Sequence, residues 1–358
     1  MEEHLILLPV REFPDRGTKW LLESPEHVAG LLQILTPELA SRLDFSRLQP
    51  QNVSFILDSL RKQESDLLFL VPFKGIAGET EWEILIYILI EHQSTLVLSM
   101  GFRILFYMTL IWDRQRQEWQ RAGLPESEWR FRPIVPILFY TGDKEWDTPL
   151  SVTALMDVPA ELERFIPHHE ALFLNLNATA PEQLTQKEHP FGWIARVLKQ
   201  ETAPDEAFMN ELREAVARID QLTADKRAEW QKAIHYFLLL IFHRREPEEH
   251  EQLTEIIKQS VQDRSRQEEV SQMRRTIAQA FIEEGEQRGI ERGQVETTQA
   301  NTLDVLNARF AVSPSTVAEL TARLEQIQEL PVLRQLHLDA VKVESLDSFI
   351  QRLSQLQG

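Results

Sequence analysis

Apolar residues recur every three or four positions early in the chain: Val28, Leu31, Leu32, Leu35 and Leu39 fall on one face of an expected amphipathic helix. Ser24, Pro25 and Glu26 supply its start, a cap residue followed by proline in the first turn and an acid. From residue 53 the period changes. Residues 54–60, 65–73 and 83–90 are rich in Ile, Leu, Phe and Tyr and read as strands, with residues 75–80 as the hairpin loop between the last two. A three-strand meander is the expected result.

Helical spacing returns over residues 97–120, where Phe102, Leu105, Phe106, Thr109 and Trp112 mark one face. A proline-bounded apolar run, residues 134–140, reads as a further strand and ends in the turn Thr141-Gly142-Asp143. The order is therefore helix, three strands, helix, strand. Residues 170–176 extend the sheet, and residues 190–199, 205–222 and 226–244 read as helices. Gly285, Gly289 and Gly293 then lie four apart on one stripe of a polar helix. Such a stripe permits close approach of a partner helix, yet each glycine weakens an isolated helix by about 1 kcal/mol, so a self-associating connector and a fraying linker are both open. Residues 301–310, 314–328 and 345–356 form a small unit of amphipathic helices. The expected organisation is an α/β domain over residues 1–200, a helical extension over 201–280, and a glycine-repeat connector with a helical C-terminal domain over 281–358.

Composition narrows the function. The 358 residues include no cysteine, which excludes disulfides, thiolate metal sites and a cysteine nucleophile, and suits a reducing cytoplasm. The longest apolar runs fall short of the roughly 20 residues that a membrane span needs, so no membrane association is expected. The first residues, MEEHLILLPVREF, lack the basic start and small-residue cleavage site of a secretory leader. A net charge of −18 opposes nonspecific coating of nucleic acid. Binding to DNA would need a local patch or cations. Residues 103–132 supply the best such patch, with six arginines against four acids, among them Arg103, Arg114 and Arg116. Trp112, Trp119 and Trp129 interleave there and read as packing aromatics.

The usual signatures of metalloproteases, phosphate-binding loops, dinucleotide-binding folds and serine hydrolases do not occur. What remains is carboxylates at strand ends. Asp66 begins one expected strand and Glu91 ends the next, 25 residues later, far enough for a strand, a turn and a return. Both can meet at one end of the sheet. Alternation puts Glu91 and Gln93 on one face and His92 on the other. Glu91 follows IYILI directly, where a charge is costly unless the strand emerges into a polar site. Two carboxylates side by side suit Mg²⁺, which keeps several waters and takes phosphate oxygens to complete its shell.

The segments SDLLF with Asp66, LIEHQS with Glu91 and Gln93, MGFRILFYMTLIW with Arg103 and Tyr107, and RPIVPILFYTGDKEW, in that order, resemble the Rpn family of recombination-promoting nucleases, also described as PD-(D/E)XK nuclease family transposases. The resemblance covers about residues 12–200, and the tail from residue 283 resembles the small helical domain that often follows this nuclease. It implies a restriction-endonuclease-like core and hydrolysis of DNA phosphodiesters with Mg²⁺, for which Mn²⁺ would substitute. Asp66 and Glu91 become the two motif acids, holding the metal with the backbone carbonyl of His92. Gln93 stands where most of the superfamily has lysine, so it can position a water but supplies neither charge nor base. Glu23 would be the further acid that some members place in the first helix, and Lys74 would replace the missing lysine's charge. The alternative is a nuclease-fold interaction module with weak or lost cleavage, recruiting a partner through its helical tail. Under either reading the C-terminal helices are a candidate surface for a homo-oligomer.

Overall fold

The computed structural model describes residues 13–53, 67–74, 82–91 and 98–357, and divides the chain into two compact units, Met1–Ile277 and Ala278–Gly358. In the first unit, helices α1 (Phe13–Leu22), α2 (Pro25–Leu35) and the single turn α3 (Pro37–Ala40) lead into strand β1 (Gln49–Gln51). Strands β2 (Leu67–Phe73) and β3 (Trp82–Glu91) follow, then helix α4 (Met100–Arg121), β4 (Ile134–Tyr140) and β5 (Leu172–Asn175). Helices α5 (Pro181–Thr185), α6 (Pro190–Lys199), α7 (Asp205–Ile219), α8 (Arg227–Arg244) and α9 (His250–Ser260) come next. The expected strand over residues 54–60 and the hairpin loop over residues 75–80 lie outside the described residues. Among the described residues the first strand is the short polar stretch Gln49–Gln51.

The five strands stand in sheet order β1-β2-β3-β4-β5, antiparallel across the first three and parallel across β3-β4-β5. A parallel neighbour requires a crossover, and α4 provides it between β3 and β4. Period-two alternation divides the apolar side chains between two faces. Leu68, Leu85, Tyr87, Ile134 and Leu138 pack beneath Met100, Ile104, Tyr107, Met108 and Ile111 of α4. Phe69, Val71, Ile86, Ile137, Phe139 and Leu174 are buried on the other face, where α1 meets β3 and the Phe139 ring meets Phe191 of α6 edge-on at 6.2 Å. The result is a mixed α/β layer structure. Behind the second helical layer lies α8, whose residues Tyr236–Ile241 are completely buried. A helix apolar on every side must be covered on every side.

In α4 the spacing expected from sequence is right and the phase is not. The buried stripe is Met100, Ile104, Tyr107, Met108 and Ile111, whereas Phe102 is 55% exposed and Phe106 is half-buried. The stripe through Tyr107 wins because it alone carries residues every turn that reach the β3 face. The tryptophans nearby serve packing: Trp119 lies 5.8 Å from Trp129 and 5.1 Å from Phe131, and Trp112 Nε1 donates to the Arg132 carbonyl at 2.9 Å.

Ser24 caps α2 as expected in position, but through its backbone carbonyl, which accepts from Val28 N at 3.1 Å; its hydroxyl does not bond the turn. Close by, His27 is fully buried with neither ring nitrogen hydrogen-bonded. Burial, reinforced by Lys232 nearby, pushes its imidazole well below the usual 6.5. Its neighbour Glu26 faces His189 Nε2 at 3.4 Å and Lys226 Nζ at 2.8 Å, contacts that draw its carboxyl down to about 2. A histidine buried neutral contributes stability fully above its free value of 6.5 and loses it as pH falls below. The Glu26 contribution is present above its free value of 4.5 and is lost as pH falls towards 2. The melting temperature should therefore decline from about pH 6.5 downwards and more steeply below 4.5. His27→Phe should flatten the first part of that decline in thermal melts; an unchanged slope between pH 6.5 and 5 would contradict the assignment.

The helix α10 (Arg264–Phe310) is continuous through Gly285, Gly289 and Gly293, so the connector is helical. The second unit adds α11 (Pro314–Glu325), α12 (Leu330–Lys342) and α13 (Leu346–Gln357). It has its own core, in which Leu306, Leu324, Leu333, Leu336, Phe349 and Leu353 are buried. Helix α12 was not expected from the pattern.

Candidate active site

The pairing register determines which sequence positions meet. Leu67 pairs with Ile88, so the start of β2 and the end of β3 lie at the same end of the sheet. Because β3, β4 and β5 are parallel, Glu91 stands opposite Tyr140, and Tyr140 opposite Asn175, at that end as well. Helix α4 also begins there, since it carries the chain from the end of β3 back to the start of β4.

Two close approaches shape this end. A side chain at Gly101 would put its Cβ 2.4 Å from the Ser151 carbonyl oxygen, and Gly101 N donates to Pro149 O at 3.2 Å. Only glycine lets the first turn of α4 rest on the loop after β4. At Gly142 a Cβ would meet the Tyr140 ring at 2.5 to 2.7 Å, so the turn folds flat over that ring. Tyr140 is completely buried, donates from its hydroxyl to Lys144 O at 3.0 Å, and meets Trp146 edge-on at 4.9 Å. Asn177 Nδ2 donates to Gly142 O at 2.9 Å, tying the turn after β5 to the turn after β4. Lys199 Nζ in turn donates to Asn177 O and Thr179 O, at 2.9 and 2.6 Å, and desolvation lowers its pKa. The strand ends are thus mounted on a cross-bonded pair of turns. Sequence reasoning missed Asn177 and Lys199, whose work is done on backbone carbonyls and leaves no motif.

Of the residues expected to act, Asp66, His92 and Gln93 lie outside the described residues, with Asp66 one position before β2 and His92 one position after β3. Glu91 is the last residue of β3. Arg103 occupies the first turn of α4 at the same end, its guanidinium 5.4 Å from the Tyr107 ring centre and its Nε 3.3 Å from the Tyr107 hydroxyl. Arg114 and Arg116 follow three turns later, roughly 16 to 20 Å further along the helix axis. They are engaged with Glu118 at 2.8 Å and Asp113 at 2.6 Å, solvent-exposed pairs within the helix that contribute little to stability. Lys74 is exposed just beyond Phe73, at the opposite end of β2, where its N–H donates to Arg42 O at 2.7 Å and its carbonyl accepts from Arg42 Nε at 3.2 Å. The structure does not bring it to Glu91. Glu23 is exposed after α1, with its N–H bonded to Lys19 O at 3.0 Å. Among the described residues no three histidine or carboxylate side chains are grouped to hold a metal.

A mixed α/β protein with its turn-supported strand ends gathered at one edge is the class that fold and site define. The chain belongs to the family described as "Putative transposase, YhgA-like", whose model matches residues 14–230, well over half of its length. It is 29% identical over 127 residues to the recombination-promoting nuclease RpnD of Escherichia coli O157:H7, covering 35% of this chain and 44% of that protein. Over 131 residues it is 32% identical to the inactive recombination-promoting nuclease-like protein RpnE of Escherichia coli strain K12, covering 36% of this chain and 39% of the relative. The recombination-promoting nuclease RpnC of the same strain matches at 28% over 174 residues, 48% of this chain and 53% of that protein. The chain thus spans about half or less of the length of these relatives. No solved structure shows significant similarity. No helix among the described residues is long and apolar enough to cross a membrane.

Proposed function

We propose that the chain is a metal-dependent nuclease of the restriction-endonuclease-like PD-(D/E)XK class, hydrolysing phosphodiester bonds of DNA. The observation that supports this reading is the register: Leu67 pairs with Ile88, so the start of β2, which follows Asp66 in the sequence, and the end of β3 at Glu91 lie at one end of the sheet, where two acids could share one ion. The order of helices, antiparallel strands, crossover helix and parallel strand agrees with such a core, and the names of two relatives agree with the activity.

The donor set, two carboxylates and the His92 carbonyl, consists of hard oxygens and fits Mg²⁺ or Mn²⁺. When bound, such an ion would acidify the attacking water and neutralise charge developing on the phosphate. Asp66 and Glu91 would hold it. Gln93 would orient the water by hydrogen bonds but has no site to take up its proton. The released proton would therefore pass to a phosphate oxygen or to solvent. Arg103, in the first turn of α4, would meet a backbone phosphate. Purified full-length chain should nick and then linearise plasmid DNA in Mg²⁺ or Mn²⁺ and stop in EDTA; cleavage that persists in excess chelator would overturn the metal mechanism.

One observation favours a second reading, an interaction module without cleavage: the relative with 32% identity is named inactive. The net charge of −18 agrees with it. Under that reading the C-terminal helices would recruit a partner or a second copy, and the plasmid assay would show no metal-dependent product.

A further inference from the structure

The first turn of α4 presents an aromatic pair that the core does not use. Phe102 is 55% exposed, and its ring stacks on Phe106 one turn later, with centroids 6.0 Å apart and planes at 23°. Phe106 in turn lies 6.4 Å from the Tyr107 ring, over which Arg103 is held. The turn at Thr153–Leu155, which packs against α4, leaves Leu155 39% and Met156 46% exposed beside this helix. A phenylalanine left this exposed forgoes much of the stabilisation that burial would bring. The buried stripe of α4 is complete without Phe102, so packing does not account for an aromatic here.

Placement and chemistry together indicate the occupant. The pair sits at the sheet end where β3 terminates, and a guanidinium lies in the same turn. A flat apolar face beside a cation matches a nucleotide, whose base stacks while its phosphate meets the arginine. Bases inside an intact duplex show no free face to such a platform, whereas unpaired or splayed bases do. We infer that Phe102, backed by Phe106 and flanked by Arg103, forms a stacking platform for unpaired bases next to the scissile position, so that the preferred substrate is DNA with single-stranded character. This inference rests on the nuclease reading above and specifies its substrate.

Binding tests it without cleavage. Fluorescence anisotropy of the full-length chain in EDTA would compare a labelled single-stranded 20-nucleotide DNA with the duplex of the same sequence. Wild type should bind the single strand more tightly. Phe102→Ala should weaken single-strand binding by about tenfold, as expected for one lost base–aromatic stack, with duplex binding little changed. Phe102→Tyr should retain the wild-type preference, and circular dichroism would verify that both variants fold. Equal binding of the two DNAs by wild type, an unaltered single-strand affinity in Phe102→Ala, or an equal loss on both substrates would overturn the inference. The last two outcomes would assign the apolar face to a protein partner or to local packing. Plasmid cleavage in Mg²⁺, scored separately, distinguishes failure of this inference from failure of the nuclease reading.

Discussion

Glu91→Ala and Asp66→Ala should each reduce Mg²⁺-dependent cleavage by a factor on the order of 10² or more, because each removes a ligand from a group that acts as a unit. Glu91 is the last residue of β3, opposite Tyr140, so the substitution is made at a strand terminus. The melting temperature should accordingly stay close to that of wild type. Combining the two should cost little more than either alone, the non-additivity expected when one missing ligand already empties the site. Gln93→Ala should have a smaller effect, and Gln93→Lys, which restores the commoner residue of the superfamily, should retain or raise activity. Wild-type cleavage rates in both acid variants would transfer the chain to the interaction-module reading.

Phe139→Ala should cause a large loss of stability. The side chain is 1% exposed in β4, between β3 and β5, and its ring meets Phe191 at the start of α6. Truncating a buried phenylalanine removes its transfer free energy and leaves a cavity, together about 3 to 5 kcal/mol. Against a total of about 5 to 15 kcal/mol that is a large fraction of what holds the sheet and its second helical layer together. Urea unfolding should show a lower midpoint with an unchanged slope. A midpoint equal to wild type would mean that α6 does not depend on this contact.

The elements most readable from sequence are those whose boundaries carry their own chemistry. Strand β4 occupies residues 134–140 as expected, because Pro133 precedes it and the Thr141-Gly142 turn follows it. Helix α6 likewise runs over residues 190–199, with Pro190 in its first turn and His189 as a cap whose Nδ1 accepts from Phe191 N at 3.2 Å. Three features escaped for identifiable reasons. Strand β1 is Gln-Pro-Gln, all exposed, and has neither apolar residues nor alternation to announce it. Helix α12 contains Pro331, which reads as a breaker although the first turn tolerates it; its far end is closed by Arg309, which donates to Ala340 O and Val343 O at 2.6 and 2.8 Å. The face of α4 was misjudged because Phe102 and Phe106 outweigh Met100 and Ile104 in hydrophobicity, while contact with the sheet decides burial. At the site, Glu91 was readable as a charge directly after an apolar run. Asn177 and Lys199 were not, since a side chain that serves carbonyls from distant turns has no local signature.

The two outer strands bear on how this protein behaves at high concentration. β1 is three residues long and β5 four, and Pro50 in the middle of β1 has no N–H to offer. An edge this short, interrupted at its centre, is a poor template for a strand from another molecule. Among the described residues the sheet edges thus disfavour growth by strand addition, the first step of ordered aggregation, and favour contacts between copies of the chain made by side chains rather than by backbone ladders.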